Sequence, residues 1–298
     1  MFPKRLFLFA IAISATLAAA GQHSVADDWP QWGGPQRDCV WHETGIVEKF
    51  STTDLLPRMW SVPIGEGYAG PAVANGRVYV TDRIVDEGVE RILCVDAETG
   101  KEIWKHSHPV RYTVSYPAGP RTTPVIHDGL CYTIGAEGHM FCFDAATGEI
   151  RWSKEFQKDF GTKLPTWGMA ASPLVDGDRL ITLVGGDING LVICFDRKTG
   201  NEIWRALSAG QVGYCPPVIY EFGGRRQLII WGARQKKSVE PLERCGAGLG
   251  KGRTVRTEIG IPTRAAKVAA QADVALVFAT QWIGEANDAQ TLALPDKQ

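Results

Sequence analysis

The 298-residue chain is 44% hydrophobic and 22% charged, the make-up of a folded protein rather than a disordered one. Its 32 basic and 33 acidic residues leave a formal net charge of −1, and no Lys/Arg cluster goes beyond short pairs. That balance excludes the electrostatic footprint of a nucleic-acid or anionic-membrane binder.

The chain opens with Lys4-Arg5, an apolar run from Leu6 to Ala20, and small-residue cleavage options after Ala20 or Ala26. This is the pattern of a secretory signal over residues 1–26, with an apolar run too short to span a bilayer. Cleavage after Ser24-Val25-Ala26 would leave a mature chain starting at Asp27, periplasmic or extracellular. No later segment reaches membrane-spanning length. Residues 27–66 read as a lead-in that contains a first outer strand.

From 67 to 234 the sequence repeats. "ILCVDAETGKEIW" (92–104), "MFCFDAATGEIRW" (140–152) and "VICFDRKTGNEIW" (192–204) place Trp104, Trp152 and Trp204 at spacings of 48 and 52 residues, a period that marks a solenoid, propeller or array. Ahead of each phrase stands a hairpin signal, with Asn75-Gly76, Asp128-Gly129 and Asp176-Gly177 suited to a two-residue turn. Val78 and Val80 share one face while Tyr79 and Thr81 share the other, as in a half-buried strand. The phrase supplies a second hairpin: Asp96, Asp144 and Asp196 can accept from nearby amides, and Gly100, Gly148 and Gly200 can take the left-handed turn position. Each unit therefore reads as four antiparallel strands, for example 124–127, 130–135, 139–144 and 149–155. The fold class is all-β, a partial β-propeller of three four-stranded blades and part of a fourth. Each Trp starts a fourth strand, where its ring can wedge against the next blade. Cys94, Cys142 and Cys194 hold one equivalent position and read as small core residues rather than disulfide partners.

The Asp-x-x-Thr-Gly-x-x-x-Trp phrase, its preceding hairpins and the opening "DWPQWGGPQRDCVWHETG" resemble the PQQ-like β-propeller repeat family of secreted bacterial proteins, from about Asp28 to Arg234. Cys39 departs from that pattern, which has Gly there. The resemblance implies, for the family's dehydrogenases, pyrroloquinoline quinone with a calcium-type metal over the propeller axis. A tricarboxylate cofactor needs convergent cations and amide donors, which this sequence supplies sparsely, and it lacks the adjacent cysteines common in such enzymes. No cofactor is assigned from the residues themselves.

Three residues before the Pro that opens each blade stand Tyr68, Arg121, Ala170 and Tyr214. With Trp167 nearby, Tyr68, Arg121 and Tyr214 form a candidate ring at one mouth of the channel, facing a small molecule or a protein; the alternative is that they simply pack the channel. His106 and His108 lie two apart on a strand, but with no third ligand in view no metal site is assigned. Phosphate-cradling loops, zinc-protease helices and nucleophile elbows are missing.

A fourth blade opens at 216–233, yet its second half is replaced by an irregular junction over 235–263. Codons for Val239–Lys251 read one base later permit "LNPLNAAGQVWEK", an echo of the missing phrase. Residues 264–298 change class, with a helix over 265–272 and an apolar strand over 274–279, an α/β-like segment. Glu285, Asp288, Leu292, Leu294 and Pro295 there resemble the C-terminal domain of family 3 glycoside hydrolases. That resemblance would make Glu285 catalytic only beside a barrel domain that this chain does not offer. The sequence thus reads first as an exported binding or scaffold module. A quinone-dependent alcohol or sugar dehydrogenase and a β-glucosidase fragment stand behind that reading.

Overall fold

The computed structural model describes residues 27–44, 58–186, 189–209, 211–222 and 224–232, together with the backbone of strands at 255–258 and 274–279. The signal-like segment, the proposed helix over 265–272 and Glu285 lie outside the described residues.

Three antiparallel four-stranded sheets follow one another in the chain. The first is β1 (Ala72–Ala74), β2 (Arg77–Ile84), β3 (Val89–Asp96) and β4 (Glu102–Pro109), paired in sequence order. The second is β5 (Val125–His127), β6 (Leu130–Ile134), β7 (His139–Asp144) and β8 (Ile150–Glu155), followed by the one-turn helix α1 (Phe156–Phe160). The third is β9 (Leu174–Asp176), β10 (Arg179–Leu183), β11 (Val192–Asp196) and β12 (Glu202–Ala206). A fourth sheet begins with the hairpin β13 (Val218–Phe222) and β14 (Arg225–Trp231). Two tail strands, β15 (Val255–Glu258) and β16 (Val274–Ala279), complete it in the order β13-β14-β16-β15, with β16 parallel to β14 and β15 parallel to β16. The apolar strand read at 274–279 is thus present but joins the propeller sheet, and β15 falls within the stretch read as an irregular junction.

The turns follow from their residues. Asn75 and Gly76 both take positive φ (53° and 69°), as do Asp128 and Gly129 (44° and 73°), the mirror-image turn whose twist matches the flanking strands. In the second hairpin, Asp96 Oδ1 accepts from Thr99 N at 2.8 Å and from Thr99 Oγ1 at 2.7 Å. Asp144 with Thr147 and Asp196 with Thr199 repeat the arrangement. These contacts hold the carboxyls below their ordinary value of 3.8: chiefly Thr99 for Asp96, the Arg151 guanidinium and then Thr147 for Asp144, and the Thr199 amide for Asp196. A depressed folded-state value means the unfolded chain binds more protons, so this stabilisation is present above the ordinary value and is lost as pH falls through the folded one. In urea melts, the destabilisation caused by Asp144→Asn is therefore expected to shrink on the acid side, below the ordinary carboxylate value, and to be full at neutral pH.

The strands β1, β5, β9 and β13 are sheet edges, and one N-terminal segment touches all four. Trp29 pairs with Val73, Ile126 N donates to Pro30 O at 2.8 Å, and Arg37 donates to Pro173 O at 2.9 Å and Pro217 O at 3.1 Å, just before β9 and β13. These edges therefore face a common axis, filled by the "DWPQWGGPQR" segment. Arg37 is 7% exposed, and burial lowers its guanidinium to about 10. Cys39 sits at φ 59°, a left-handed position that Gly takes without strain.

A recurring indole contact reaches the second hairpin of each of the first three sheets, from the segment before β1 and then from each preceding sheet. Trp60 Nε1 donates to Ala97 O at 2.9 Å, Trp104 Nε1 to Ala145 O at 3.0 Å and Trp152 Nε1 to Arg197 O at 3.1 Å. Each acceptor is the residue after the Asp of the next phrase. Tyr79 and Tyr132 donate their hydroxyls to the same Ala145 and Arg197 carbonyls. The Trp104 ring lies between Tyr79 and Phe143, and the Trp152 ring between Tyr132 and Phe195. Trp204 differs: its buried Nε1 has no hydrogen-bond partner among the described residues, and the position equivalent to the two tyrosines, opposite Cys194, is Ile181. Cys94, Cys142 and Cys194 are fully buried and free, and burial pushes their thiols up to about 11, 12 and 12.

Candidate functional site

The four residues read as a candidate ring, Tyr68, Arg121, Trp167 and Tyr214, assemble as two linked pairs. The Arg121 guanidinium lies 5.2 Å from the Tyr68 ring centre, and the Trp167 and Tyr214 rings are 5.2 Å apart, with Trp167 N donating to Tyr214 Oη at 3.3 Å. Arg121 also donates to the carbonyls of Ser115, Tyr116 and Gly119, while Ser115 N donates to Thr166 O at 2.7 Å. One backbone chain therefore connects the pairs along a single lip. Tyr68 is 56% exposed and Tyr116, not singled out in the sequence, is 68% exposed, so the lip presents aromatic surface to solvent. Its cation is committed to three carbonyls.

A second group lies between the first two sheets. Glu90 on β3 is 2% exposed and stands directly opposite His108 on β4, so both side chains share a face. Glu90 Oε1 accepts from Tyr112 Oη and from Ala136 N at 3.0 Å. Glu90 Oε2 is 3.5 Å from His108 Nε2, outside hydrogen-bond geometry, and among the described residues neither atom has a hydrogen-bond partner, nor has His139 Nδ1 at the start of β7. Ligand atoms of Glu90, His108 and His139 all lie within 4.8 Å of one another. Burial raises the Glu90 carboxyl, but the contacts from His108, Tyr112 and Ala136 outweigh it and the net direction is down. Burial, then the neighbouring His108, lowers His139. Gly135 is required beside them, since a Cβ there would fall 2.0 Å from Glu90 Oε2. Glu137 accepts from the Thr113 and Val114 amides and so holds the loop that delivers Tyr112. Of the His106–His108 pair noted in the sequence, only His108 joins this cluster; His106 packs between Phe141 and Phe143.

Four sheets with their first strands on one axis define the class, a β-propeller with indole contacts between successive blades. The family model described as outer membrane protein assembly factor BamB (PQQ_2) matches residues 48–113 and 90–230, and the chain belongs to that family of PQQ-like propeller repeats. Among curated relatives, the serine/threonine-protein kinase AfsK of Streptomyces griseus is 26% identical over 63% of this chain and 20% of its own length. The quinoprotein alcohol dehydrogenase PedH of Pseudomonas putida is 22% identical over 71% of this chain and 38% of its own. BamB of Salmonella typhimurium is 26% identical over 52% of this chain and 35% of its own. The chain thus spans well under half the length of these relatives.

The residues of the lip do not fit a quinone cofactor. Three carboxylates would need free cations, whereas Arg121 is already bonded to three backbone carbonyls and the neighbouring Arg83 donates to Pro117 O and lies 4.0 Å from the Tyr112 ring centre. None of Tyr68, Arg121, Trp167 and Tyr214 offers a carboxylate for a calcium-type ion. No helix among the described residues is long and apolar enough to cross a membrane.

Proposed function

We propose that this chain is an exported propeller module that binds or scaffolds a partner through the lip of Tyr68, Arg121, Trp167 and Tyr214, without catalysis of its own. The observation that carries the reading is the solvent-facing aromatic surface on a backbone-braced lip, joined to a cation that orients Tyr68. Aromatic residues with an Arg are the composition of protein-binding hot spots. The assembly-factor description of the family and the match to Salmonella BamB support a protein as partner, and the secretory pattern of residues 1–26 supports a location outside the cytoplasm.

The reading is tested by placing a photo-crosslinking amino acid at Tyr68 or Tyr116, and at Ile150 on β8 as a comparison, in cells that produce the chain. Discrete crosslinked products at the lip positions and not at Ile150 are expected; equal labelling at all three would overturn the lip as the binding surface. Incubation with pyrroloquinoline quinone and Ca²⁺ is expected to leave no quinone absorbance on the re-purified protein, and its appearance would favour the dehydrogenase reading.

A further inference from the structure

We propose that Glu90, His108 and His139 form a binding site for a divalent first-row transition ion, zinc foremost, held between the first and second blades. The repeat provides the internal comparison. Shifting by the 48 residues that separate Trp104 from Trp152 places Glu90 on Gly138 and His108 on Phe156; shifting by the 52 between Trp152 and Trp204 places His139 on Leu191. The same corner of the next junction is therefore Gly, Phe and Leu, with Phe156 and Leu191 at 0% and 1% exposure inside one apolar cluster. At the second junction the fold builds this corner from hydrocarbon. At the first junction it instead buries a carboxylate and two imidazoles, and among the described residues Glu90 Oε2, His108 Nε2 and His139 Nδ1 have no hydrogen-bond partner. Unpartnered buried polar atoms are costly, and three of them converging from two blades point to a ligand that satisfies all three at once.

The donor set selects the ion. Two imidazoles and one carboxylate suit zinc and its neighbours, whereas calcium and magnesium take oxygen donors and Cu(I) prefers sulfur. Around a tetrahedral ion with bonds of about 2.0–2.1 Å, ligand atoms are roughly 3.3–3.5 Å apart. Glu90 Oε2 and His108 Nε2 are already 3.5 Å apart, and the 4.8 Å limit on the whole set leaves only a small side-chain rotation. Tyr112 and the Ala136 amide hold Glu90 Oε1, which orients Oε2 as a supporting shell does for a ligating carboxylate. A cleft lined by Thr81, Thr133 and Gly135 adjoins the three ligands and gives a fourth ligand a path to the ion.

The test uses the full chain stripped with EDTA and titrated with Co²⁺, whose visible absorption reports tetrahedral or five-coordinate binding. One Co²⁺ per chain, displaced by Zn²⁺, is expected, with a melting temperature raised by Zn²⁺ and restored by EDTA. The double variant His108→Phe, His139→Leu installs the residues of the next junction and is expected to fold and lose the Co²⁺ signal. Glu90→Gln is expected to weaken binding by at least about tenfold, and His127→Ala, a surface histidine, to leave it unchanged. Absence of the signal in the wild-type chain, or its persistence in the double variant, overturns the site. Should that variant not fold, wild-type affinity in Glu90→Gln overturns it instead.

Discussion

Trp104→Ala and Trp152→Ala are each expected to lower the unfolding free energy by about 3–5 kcal/mol, the range for removing a large buried aromatic, while Trp204→Ala costs clearly less. The ring area is similar in all three, so the difference tests what each indole meets. Trp104 is 8% exposed, sits against Tyr79 and Phe143, and donates to Ala145 O; removing it leaves a cavity at a blade junction. Trp152 holds the same place against Tyr132, Phe195 and Arg197 O. Trp204 has neither a tyrosine partner nor an acceptor for its Nε1 among the described residues. Denaturant melts of the three variants check this, and equal losses would show that the contact to the following phrase contributes little.

Gly148→Ala is expected to cost about 2–4 kcal/mol, from roughly 1–2 kcal/mol of left-handed backbone strain plus displacement of a packed ring. Gly148 has φ 75°, and a Cβ there would lie 2.6 Å from Trp104 Cδ2. Gly129 separates the two contributions: its φ is 73° but a Cβ would meet nothing within 4 Å, so Gly129→Ala should show the backbone part alone. In a double-mutant cycle, Gly148→Ala should lose much of its excess effect in the Trp104→Ala background. A Gly148→Ala variant no worse than Gly129→Ala would mean the indole does not rest on that turn.

Much of the blade plan was legible in the sequence because it rests on local chemistry. Asn75-Gly76 and Asp128-Gly129 specify their turns from two residues, and Asp144 with Thr147 and Gly148 specifies the second hairpin from five. That each Trp ring meets the next blade was legible, but its hydrogen-bond acceptor was not, since Ala97, Ala145 and Arg197 offer backbone carbonyls that carry no residue signature. Tyr79 and Tyr132 read only as strand residues for the same reason. The axial segment was visible as a motif, but Arg37 reaches Pro217 across 180 residues, a contact no local pattern encodes. At the candidate metal site, His108 stood out beside His106, while Glu90 and His139 come from another strand and another blade. The signal was present in the repeat itself, because extending the alignment on Trp104, Trp152 and Trp204 to the residues flanking the phrases shows polar residues at one junction where the next has Phe156 and Leu191. The lip residues Tyr68 and Arg121 were reachable by the same alignment, yet Tyr116 was not, since it lies on an inter-blade loop outside the repeat.

The central claim, that an indole-to-carbonyl hydrogen bond fastens the first blade to the second and the second to the third, while Trp204 finds no acceptor among the described residues, is tested most directly by deuterium exchange of the tryptophan indole N–H groups. Resonances would be assigned by single Trp→Phe substitutions. The indoles of Trp60, Trp104 and Trp152 are expected to exchange slowly, with Trp204 exchanging first among the four. Protection of Trp204 equal to that of Trp104 and Trp152, or rapid exchange of the latter two, would contradict it.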